Sequence, residues 1–191
     1  MAGGGTVALR KIEKLVPYGP RLTVAAAEVR EEILQTEGVT VLREPFQEYM
    51  LEGKYFVIAA TDDREMNHRI SRLCRERGLL VNVVDDRQAC SFIFPSLVKR
   101  GKLSVGISTE GASPAGAVHV RKLLEESLPE NFDQILEFLE ARRPEIKSAI
   151  GEERRRSALF SRLFETCLEK GRGLTEEEFG QIMRKESENR L

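Results

Sequence analysis

Short apolar runs alternate with helix-like stretches over the first 84 residues, and this alternation constrains the fold more than any other feature of the sequence. The runs at 21–26, 39–42, 55–60 and 79–84 have the composition of β-strands. The third is apolar almost throughout, which is typical of a parallel strand covered on both faces. Residues 63–77, between the last two runs, place apolar side chains at helical spacing. Strands separated by helical stretches predict βαβ units and therefore an α/β fold with a parallel sheet.

The pattern changes after the fourth run. Residues 91–108 predict two strands joined by a turn at 100–101, and Ser113 followed by Pro114 predicts a helix that starts with serine as its N-cap. From that point the sequence is helical in pattern to its end.

Three helices are expected in this last part of the chain. The first covers 131–141, and the second begins at Pro144 and ends near Gly171. Thr175 and Glu178 form a capping box that predicts a short third helix.

Charge and hydropathy exclude several classes of protein. The 191 residues include 30 basic and 31 acidic side chains, so the net charge is −1 and no overall field favours a nucleic acid or a membrane surface. No apolar run approaches the ~18–20 residues of a membrane span, and the N-terminus has no signal pattern. The sequence therefore predicts a cytoplasmic protein. Its three separated cysteines predict neither a disulfide framework nor a zinc site.

Three glycines stand at the start of the chain. Gly3, Gly5 and Ala8 fit the G-x-G-x-x-G/A fingerprint, in which glycine permits a tight turn and the close approach of a pyrophosphate to a helix N-terminus. An amphipathic helix is expected at once over 7–16. Glu28 lies about twenty residues further on, where an acidic side chain would bind the ribose of NAD and repel the 2′-phosphate of NADP. The alternatives are a glycine-rich tail and a solvated helix start at Glu28.

Hydroxyl and carboxylate side chains follow the third and fourth apolar runs. Thr61, Asp62 and Asp63 come after the third run, and Asp85 comes after the fourth. Open parallel sheets bind ligands at the carboxyl ends of their strands, so these side chains are candidates for a site. Asp85 leaves an apolar strand and is a candidate general base. The alternatives are a helix cap at 62–63 and a simple turn aspartate at 85.

Taken together, these motifs resemble the precorrin-2 dehydrogenase family, which includes the dehydrogenase and ferrochelatase part of siroheme synthases. They occur in the order found in that family: GGGTVALRK at 3–11, LTV at 22–24, IAATDD at 58–63, NVVDD at 82–86, SFIFP at 91–95 and VGISTEGASP at 105–114. The resemblance covers residues 3–128, with a looser helical likeness beyond them.

The resemblance implies a Rossmann-like parallel sheet with its first strand missing, followed by a hairpin segment and a C-terminal helical domain. The implied division is an NAD-binding domain at 1–88, a dimerisation and substrate segment at 89–128, and a helical domain at 129–191. Members oxidise precorrin-2 to sirohydrochlorin with NAD⁺, and some also insert Fe²⁺ to make siroheme. The implied partners are the tetrapyrrole, transient Fe²⁺ or Co²⁺ and a second copy of the chain in a homodimer.

The resemblance also assigns roles to individual residues. The family's key aspartate, the implied catalytic residue, falls on Asp85. The implied cofactor contacts are Gly3, Gly5, Thr6, Val7, Ala27, Glu28 and Thr61. The implied substrate contacts are Asn82, Ser108, Thr109 and Arg121. With two histidines and no group of ligands at metal spacing, the chain predicts no resident metal site.

Two other functions stay open at the level of sequence. One is a non-catalytic tetrapyrrole- or nucleotide-binding protein, and the other is a regulatory or oligomerising module whose glycines are only a tail. Met1 and Ala2 alone precede the glycines here, where the resembling family has an apolar strand. We expect a recorded start that lies downstream of the true one, or a shortened chain, and weaker NAD⁺ binding if the short form is real.

Overall fold

The computed structural model describes residues 1–188, which divide into two compact units. The first unit runs from Met1 to Pro95, and the second begins at Ser96. The last three residues of the predicted helical domain at 129–191 lie outside the described residues. The division into three functional parts stays a prediction.

Four parallel strands form the sheet of the first unit, at the positions where the apolar runs predicted them. They are β1 (Leu22–Ala25), β2 (Val39–Leu42), β3 (Phe56–Ala59) and β4 (Leu80–Val83). β1 pairs with β2 and β3 pairs with β4, both in parallel. The continuous apolar runs thus form parallel strands, as expected from their composition.

The first three residues of the chain lie between these two strand pairs. Ala2 forms isolated parallel bridges with both Ala25 of β1 and Ala59 of β3. Its N–H donates to Ile58 O at 2.8 Å, and its own carbonyl accepts from Ala60 N at 2.8 Å. The order across the sheet is therefore β2, β1, residues 1–3, β3, β4. This is the strand arrangement of a dinucleotide-binding fold, with three residues in place of its central strand.

Three α-helices complete the first unit: α1 (Thr6–Leu15), α2 (Glu31–Leu34) and α3 (Arg64–Glu76). Two short 3-10 helices lie at Val16–Tyr18 and Glu48–Leu51. α1 follows the glycines directly, because Gly5 is its N-cap. Asp63 caps α3 by accepting a hydrogen bond from Met66 N at 3.0 Å, so the capping alternative for this aspartate is correct. The short, highly charged α2 begins three residues after Glu28, where the sequence offered a solvated helix start as an alternative.

The sheet separates two apolar cores. One contains Ile12 of α1, Val24 of β1 and Ile33 of α2, all fully buried. The other contains Ile70 and Cys74 of α3, with neighbours from β3 and β4. Because both faces of the sheet in this unit are covered, a ligand can reach it only at the ends of its strands.

The second unit opens with the predicted hairpin. β5 (Ser96–Arg100) and β6 (Leu103–Ile107) pair in antiparallel fashion and form a two-stranded sheet of their own. α4 (Pro114–Ser127) then starts at the predicted cap, because Ser113 Oγ accepts from Gly116 N at 2.9 Å.

The remaining helices are α5 (Phe132–Ala149), α6 (Glu153–Lys170) and α7 (Glu176–Glu188). Pro144 lies inside α5 instead of starting a helix, so that helix boundary was predicted wrongly. α5 and α6 are separated by the non-helical residues 150–152. The predicted capping box is present: Glu178 N donates to Thr175 Oγ1 at 3.2 Å, and Thr175 N donates to Glu178 Oε2 at 2.8 Å. Within residues 1–188, the structure contains no helix long and apolar enough to cross a lipid bilayer.

Candidate functional site

The glycine turn lies at the carboxyl ends of β1 and β3. Gly3 has φ +106°, and a Cβ at this position would lie 2.2 Å from Ala60 O. Gly4 packs equally closely on the other side, where a Cβ would lie 2.5 Å from Glu28 O. Only glycine fits these two positions without moving a backbone. The turn is therefore wedged between the loops that follow β1 and β3.

Gly5 is different, because no atom lies within 4 Å of where its Cβ would be. It is exposed and caps α1 with extended backbone (φ −86°, ψ −168°) and no side-chain cap. The first N–H groups of α1 are thus directed at open space, as in a helix N-terminus that binds an anion. Ala8, the last fingerprint position, is fully buried against the sheet. The residues present therefore fit a pyrophosphate over Gly5.

Ala27 and Glu28 are exposed in the loop after β1. Arg30 N donates to Gly4 O at 3.0 Å, which ties this loop to the glycine turn. The Arg30 guanidinium also donates to Thr6 Oγ1 at 3.3 Å, at the first position of α1. Glu28 precedes α2 by three residues and so is not its start. The structure brings the predicted cofactor residues on α1 and after β1 to one edge of the sheet.

Thr61 stands in the loop after β3, and its polar groups are held by Asn67. The hydroxyl of Thr61 donates to Asn67 Oδ1 at 2.8 Å, and Asn67 Nδ2 donates back to Thr61 O at 2.9 Å. Asn67 is 6% exposed and lies on the inward face of α3. These hydrogen bonds hold the loop after β3 in place beside the glycine turn. Asn67 is a residue that sequence reasoning missed, although its spacing of three from Ile70 places it on the apolar face of that helix.

Asp85 follows β4 directly and is exposed. Its φ is +59°, the left-handed region that few residues other than glycine adopt. Val84 N donates to Ala59 O at 3.0 Å, so this aspartate leaves the sheet beside the loop that carries Thr61. The structure places Asp85 in a turn, and aspartate adopts this conformation more readily than most other side chains.

Its neighbour Asp86 has a structural role. Asp86 Oδ1 accepts from Ala89 N at 3.1 Å, and Oδ2 lies 2.9 Å from His68 Nε2. The hydrogen bond from Ala89 is the main cause that lowers the pKa of Asp86, and His68 and Arg64 lower it further. Asp86 therefore stays ionised and holds the loop that presents Asp85.

Asn82 lies in β4, 6% exposed, and links three elements. Its Nδ2 donates to Phe92 O at 3.2 Å, and its Oδ1 accepts from Lys11 Nζ at 3.4 Å. The Lys11 ammonium also lies 4.8 Å from the centre of the Phe94 ring. Burial lowers the pKa of Lys11, Lys14 lowers it further, and the charge of Asp85 opposes the shift. A cation on α1 thus lies within electrostatic reach of the candidate base.

A cavity of about 580 Å³ adjoins Asp85 and is rich in cations. Its lining includes four arginines and a histidine: Arg64, Arg72, Arg75, Arg87 and His68. Four of these five side chains lie on one face of α3, at spacings of four, four and three residues along the sequence. This spacing of basic residues is the signal from which the sequence could have predicted the cavity lining. Such a lining attracts carboxylates.

The predicted substrate residues of the second unit make local contacts. Thr109 Oγ1 accepts from Ser113 N at 3.1 Å, and Ser108 Oγ accepts from Glu110 N at 3.2 Å. Arg121 donates to both carboxylate oxygens of Glu125 at 2.7 Å. Their assignment as substrate contacts stays a prediction.

Metal ligands are dispersed in the part of the chain that the structure describes. No group of three or more His, Cys, Asp or Glu side chains there is placed to hold a metal ion. The cysteines are unpaired, and Cys74 and Cys167 are buried. Cys90 Sγ accepts from Val83 N at 3.1 Å and so braces the loop that carries Asp85.

Comparison with known proteins agrees with this geometry. Residues 1–96 match the family described as "Putative NAD(P)-binding", and residues 100–127 match "Sirohaem biosynthesis protein central". The siroheme synthase of Sodalis glossinidius is 42% identical over 153 residues, which are 78% of this chain and 32% of that protein. Siroheme synthase 1 of Pectobacterium atrosepticum is 38% identical over 167 residues, 86% of this chain and 35% of that protein. The chain spans about a third of the length of these relatives.

A solved structure is similar over nearly the whole chain. SirC, a precorrin-2 dehydrogenase, superposes with a TM-score of 0.74 and 28% sequence identity, and the match covers 96% of this chain and 92% of that one. The resemblance and the Rossmann-like α/β fold expected from the sequence are thereby confirmed. The chain belongs to the family described as "Putative NAD(P)-binding".

Proposed function

We propose that this chain is an NAD-dependent dehydrogenase that oxidises precorrin-2 to sirohydrochlorin. The observation that carries the proposal is Asp85, held at φ +59° at the carboxyl end of β4, on the sheet edge that also carries the glycine turn. The similarity to SirC and to siroheme synthases supports the same reaction.

The geometry of the turn supports the proposed cofactor residues. The α1 N-terminus and the open space at Gly5 suit the pyrophosphate, and Thr6 and Val7 stand at the start of the same helix. Glu28 is exposed beside the turn and suits a ribose diol, which favours NAD over NADP because a 2′-phosphate would be repelled. When bound, NAD⁺ supplies the hydride acceptor.

Asp85 is the proposed general base. Dehydrogenation removes a hydride and a proton, and a carboxylate at the strand end accepts that proton. Asn82 orients the Lys11 ammonium through its Oδ1, and the charge of Asp85 favours the charged form of that ammonium.

The arginine-lined cavity beside Asp85 suits the substrate, since precorrin-2 is rimmed by carboxylates. The resemblance instead implied Arg121 as the cationic contact. Arg100 donates to Leu128 O and Glu130 O, and Arg121 pairs with Glu125, so these two guanidinium groups are engaged within the second unit. On α3, Arg75 donates to Gln88 O and Cys90 O, and Arg64 and His68 lie against Asp86, so we place the main carboxylate contact of this helix on Arg72.

We further propose a cytoplasmic homodimer. α4 exposes three large apolar side chains, Val118, Val120 and Leu123, which are 42%, 47% and 52% exposed. Val120 and Leu123, three residues apart, share one face of α4, and an exposed apolar face suits a contact with a second copy. Analytical ultracentrifugation tests this: twice the mass of 21.6 kDa is expected, and Val120→Glu should give the monomer.

Metal insertion is a second candidate reaction of the same site. Insertion of Fe²⁺ or Co²⁺ into sirohydrochlorin releases pyrrole protons, and Asp85 is placed to accept them. The metal is here a substrate, and the macrocycle supplies its ligands.

The test is an anaerobic assay of the purified chain with precorrin-2 and NAD⁺. We expect the absorbance of sirohydrochlorin to grow in step with that of NADH. Binding of both ligands without turnover would favour a non-catalytic binding protein, and binding of neither would favour a regulatory module. A separate assay with sirohydrochlorin and Fe²⁺ or Co²⁺ tests metal insertion.

A further inference from the structure

Side chains of the segment that follows β4 satisfy the outer edge of this strand. β4 pairs with β3 on one side. On its other side, Val81 N donates to Ser91 Oγ at 2.7 Å, and Val83 N donates to Cys90 Sγ at 3.1 Å. Each bond satisfies a backbone group that a neighbouring strand would otherwise engage. Cys90 and Ser91 therefore make the same kind of contact, two positions apart along β4.

Only the cysteine of this pair also reaches the turn that carries Asp85. The half-buried Cys90 Sγ lies 3.2 Å from Asp86 O and 3.3 Å from Val83 O, and its S–H can donate to either carbonyl. Val83 precedes Asp85 by two residues, and Asp86 follows it directly. The thiol thus contacts the backbone on both sides of Asp85. The contacts of Ser91 go to Val81, farther from the turn.

The direction of the Asp85 side chain depends on the backbone of this turn. Asp85 has φ +59°, and aspartate adopts this conformation more readily than most residues but also adopts others. The contacts on either side therefore decide whether Asp85 keeps this conformation. Loss of the thiol would release the turn at both Val83 and Asp86 and let the carboxylate move.

The thiol also connects the turn to α1. Asn82 Nδ2 donates to Cys90 Sγ at 3.5 Å, and Asn82 Oδ1 accepts from Lys11 Nζ at 3.4 Å. Cys90 therefore lies between the backbone that carries Asp85 and the amide that orients the Lys11 ammonium.

We propose that Cys90 is a positioning residue for Asp85: its thiol holds the backbone on both sides of that aspartate and so keeps the carboxylate in place for proton transfer. The proposal rests on the proposed function, in which Asp85 is the general base. Cys90 acts through Asp85, so its removal should affect the rate of the chemical step and not the affinity for precorrin-2 or NAD⁺.

Two substitutions at Cys90 and a matched control test the proposal. Cys90→Ala removes the contacts at both Val83 and Asp86. Cys90→Ser keeps a donor and an acceptor, but its shorter bond to oxygen reaches the same partners less well. The control, Ser91→Ala, removes the corresponding edge bond at Val81. Cys90→Ala is also combined with Asp85→Asn, because two residues that act through one group have non-additive effects.

The rate is measured in single turnovers at saturating precorrin-2 and NAD⁺. Cys90→Ala should lower it at least tenfold, with KM for both ligands within twofold of the parent, and Cys90→Ser should give an intermediate rate. In the Asp85→Asn background, Cys90→Ala should cause no further loss. Ser91→Ala should lower the melting temperature about as much as Cys90→Ala does and leave the rate within twofold of the parent.

Three kinetic results would overturn the proposal: a rate of Cys90→Ala within twofold of the parent, an equal loss in Ser91→Ala, or the same fold loss from Cys90→Ala with and without Asp85. A second readout needs no turnover. The amide and carboxyl resonances of Asp85 in the ligand-free chain should shift in Cys90→Ala and stay in place in Ser91→Ala, and unshifted resonances in Cys90→Ala would also overturn the proposal. An absence of turnover in the parent would refute the proposed function, whereas these resonances would still decide whether Cys90 holds the turn.

Discussion

Two of the three adjacent glycines, Gly3 and Gly5, have different surroundings, so substitutions at these positions should have different effects. A Cβ on Gly3 would lie 2.2 Å from Ala60 O, at a φ of +106°. A Cβ on Gly5 would meet no atom within 4 Å. Gly3→Ala should therefore damage folding, whereas Gly5→Ser should damage only the binding of the cofactor.

The magnitudes follow from these environments. Left-handed backbone at a non-glycine residue costs about 1–3 kcal/mol, and overpacking against a backbone oxygen costs about as much again. Gly3→Ala should thus lower the free energy of unfolding by about 3 kcal/mol. At about 2–4 °C per kcal/mol for a chain of this size, its melting temperature should fall by about 6–12 °C.

Gly5→Ser should leave the melting temperature unchanged or slightly higher, because serine is a good N-cap for α1. Its hydroxyl would compete for the helix N–H groups that the pyrophosphate needs. Hydrogen bonds to charged groups contribute about 1.5–3 kcal/mol, so the affinity for NAD⁺ should fall about ten- to a hundredfold.

Scanning calorimetry and isothermal titration with NAD⁺ measure the two effects separately. Wild-type NAD⁺ affinity in Gly5→Ser would refute the placement of the pyrophosphate over this residue. A melting temperature of Gly3→Ala within a degree or two of the parent would refute the account of the turn.

Three further outcomes are expected. Burial lowers the pKa of the Met1 amine from 8.0 to about 6, so the folded chain binds fewer protons than the unfolded chain between pH 6 and pH 8. Denaturant unfolding should therefore show a free energy of unfolding that rises by up to about 3 kcal/mol from pH 6 to pH 8. N-terminal acetylation should abolish this pH dependence, and an unchanged slope in the acetylated chain would contradict the assignment. Glu28→Arg should shift the ratio of NADP⁺ to NAD⁺ affinity at least tenfold towards NADP⁺, and titrations with an unaltered ratio would place the ribose elsewhere. Lys11→Gln should raise KM for the tetrapyrrole or lower kcat about tenfold with little change in melting temperature, and wild-type kinetics would remove Lys11 from the site.

The fold of the first unit was largely predictable because its signals are local. Each apolar run became a parallel strand, and the helical spacing at 63–77 became α3 with Asp63 as its cap. Residues 1–3 were harder to interpret. A sequence pattern cannot show that such a short segment bridges both Ala25 and Ala59, because that depends on pairing with two distant strands.

At Pro144 the local signal in the sequence was misleading. Proline commonly starts a helix, and no local feature of the sequence favours a helix that continues through it. In the structure α5 runs on to Ala149, with Ile135 and Ile146 buried on either side of the proline. Tertiary packing of that apolar face outweighs the hydrogen bond that proline removes.

The candidate site was only half predictable. Motifs placed Gly3, Gly5 and Asp85 at strand ends, and the structure brings them to one edge of the sheet. Asn67 and Lys11 were missed because their roles depend on contacts with Thr61 and Asn82, which are distant in sequence or on other elements. A helix side chain acquires such a role only through tertiary packing.

The central claim is that Asp85 acts as the base at an NAD-dependent dehydrogenase site, and its most direct test is single-turnover oxidation of precorrin-2 by Asp85→Asn. Asparagine also tolerates the left-handed backbone at this position, so folding and NAD⁺ affinity should match the parent. The rate of sirohydrochlorin formation should fall by about 10²–10⁴, the range for loss of a general base. A rate within threefold of the parent, with substrate and NAD⁺ both saturating, would contradict the account.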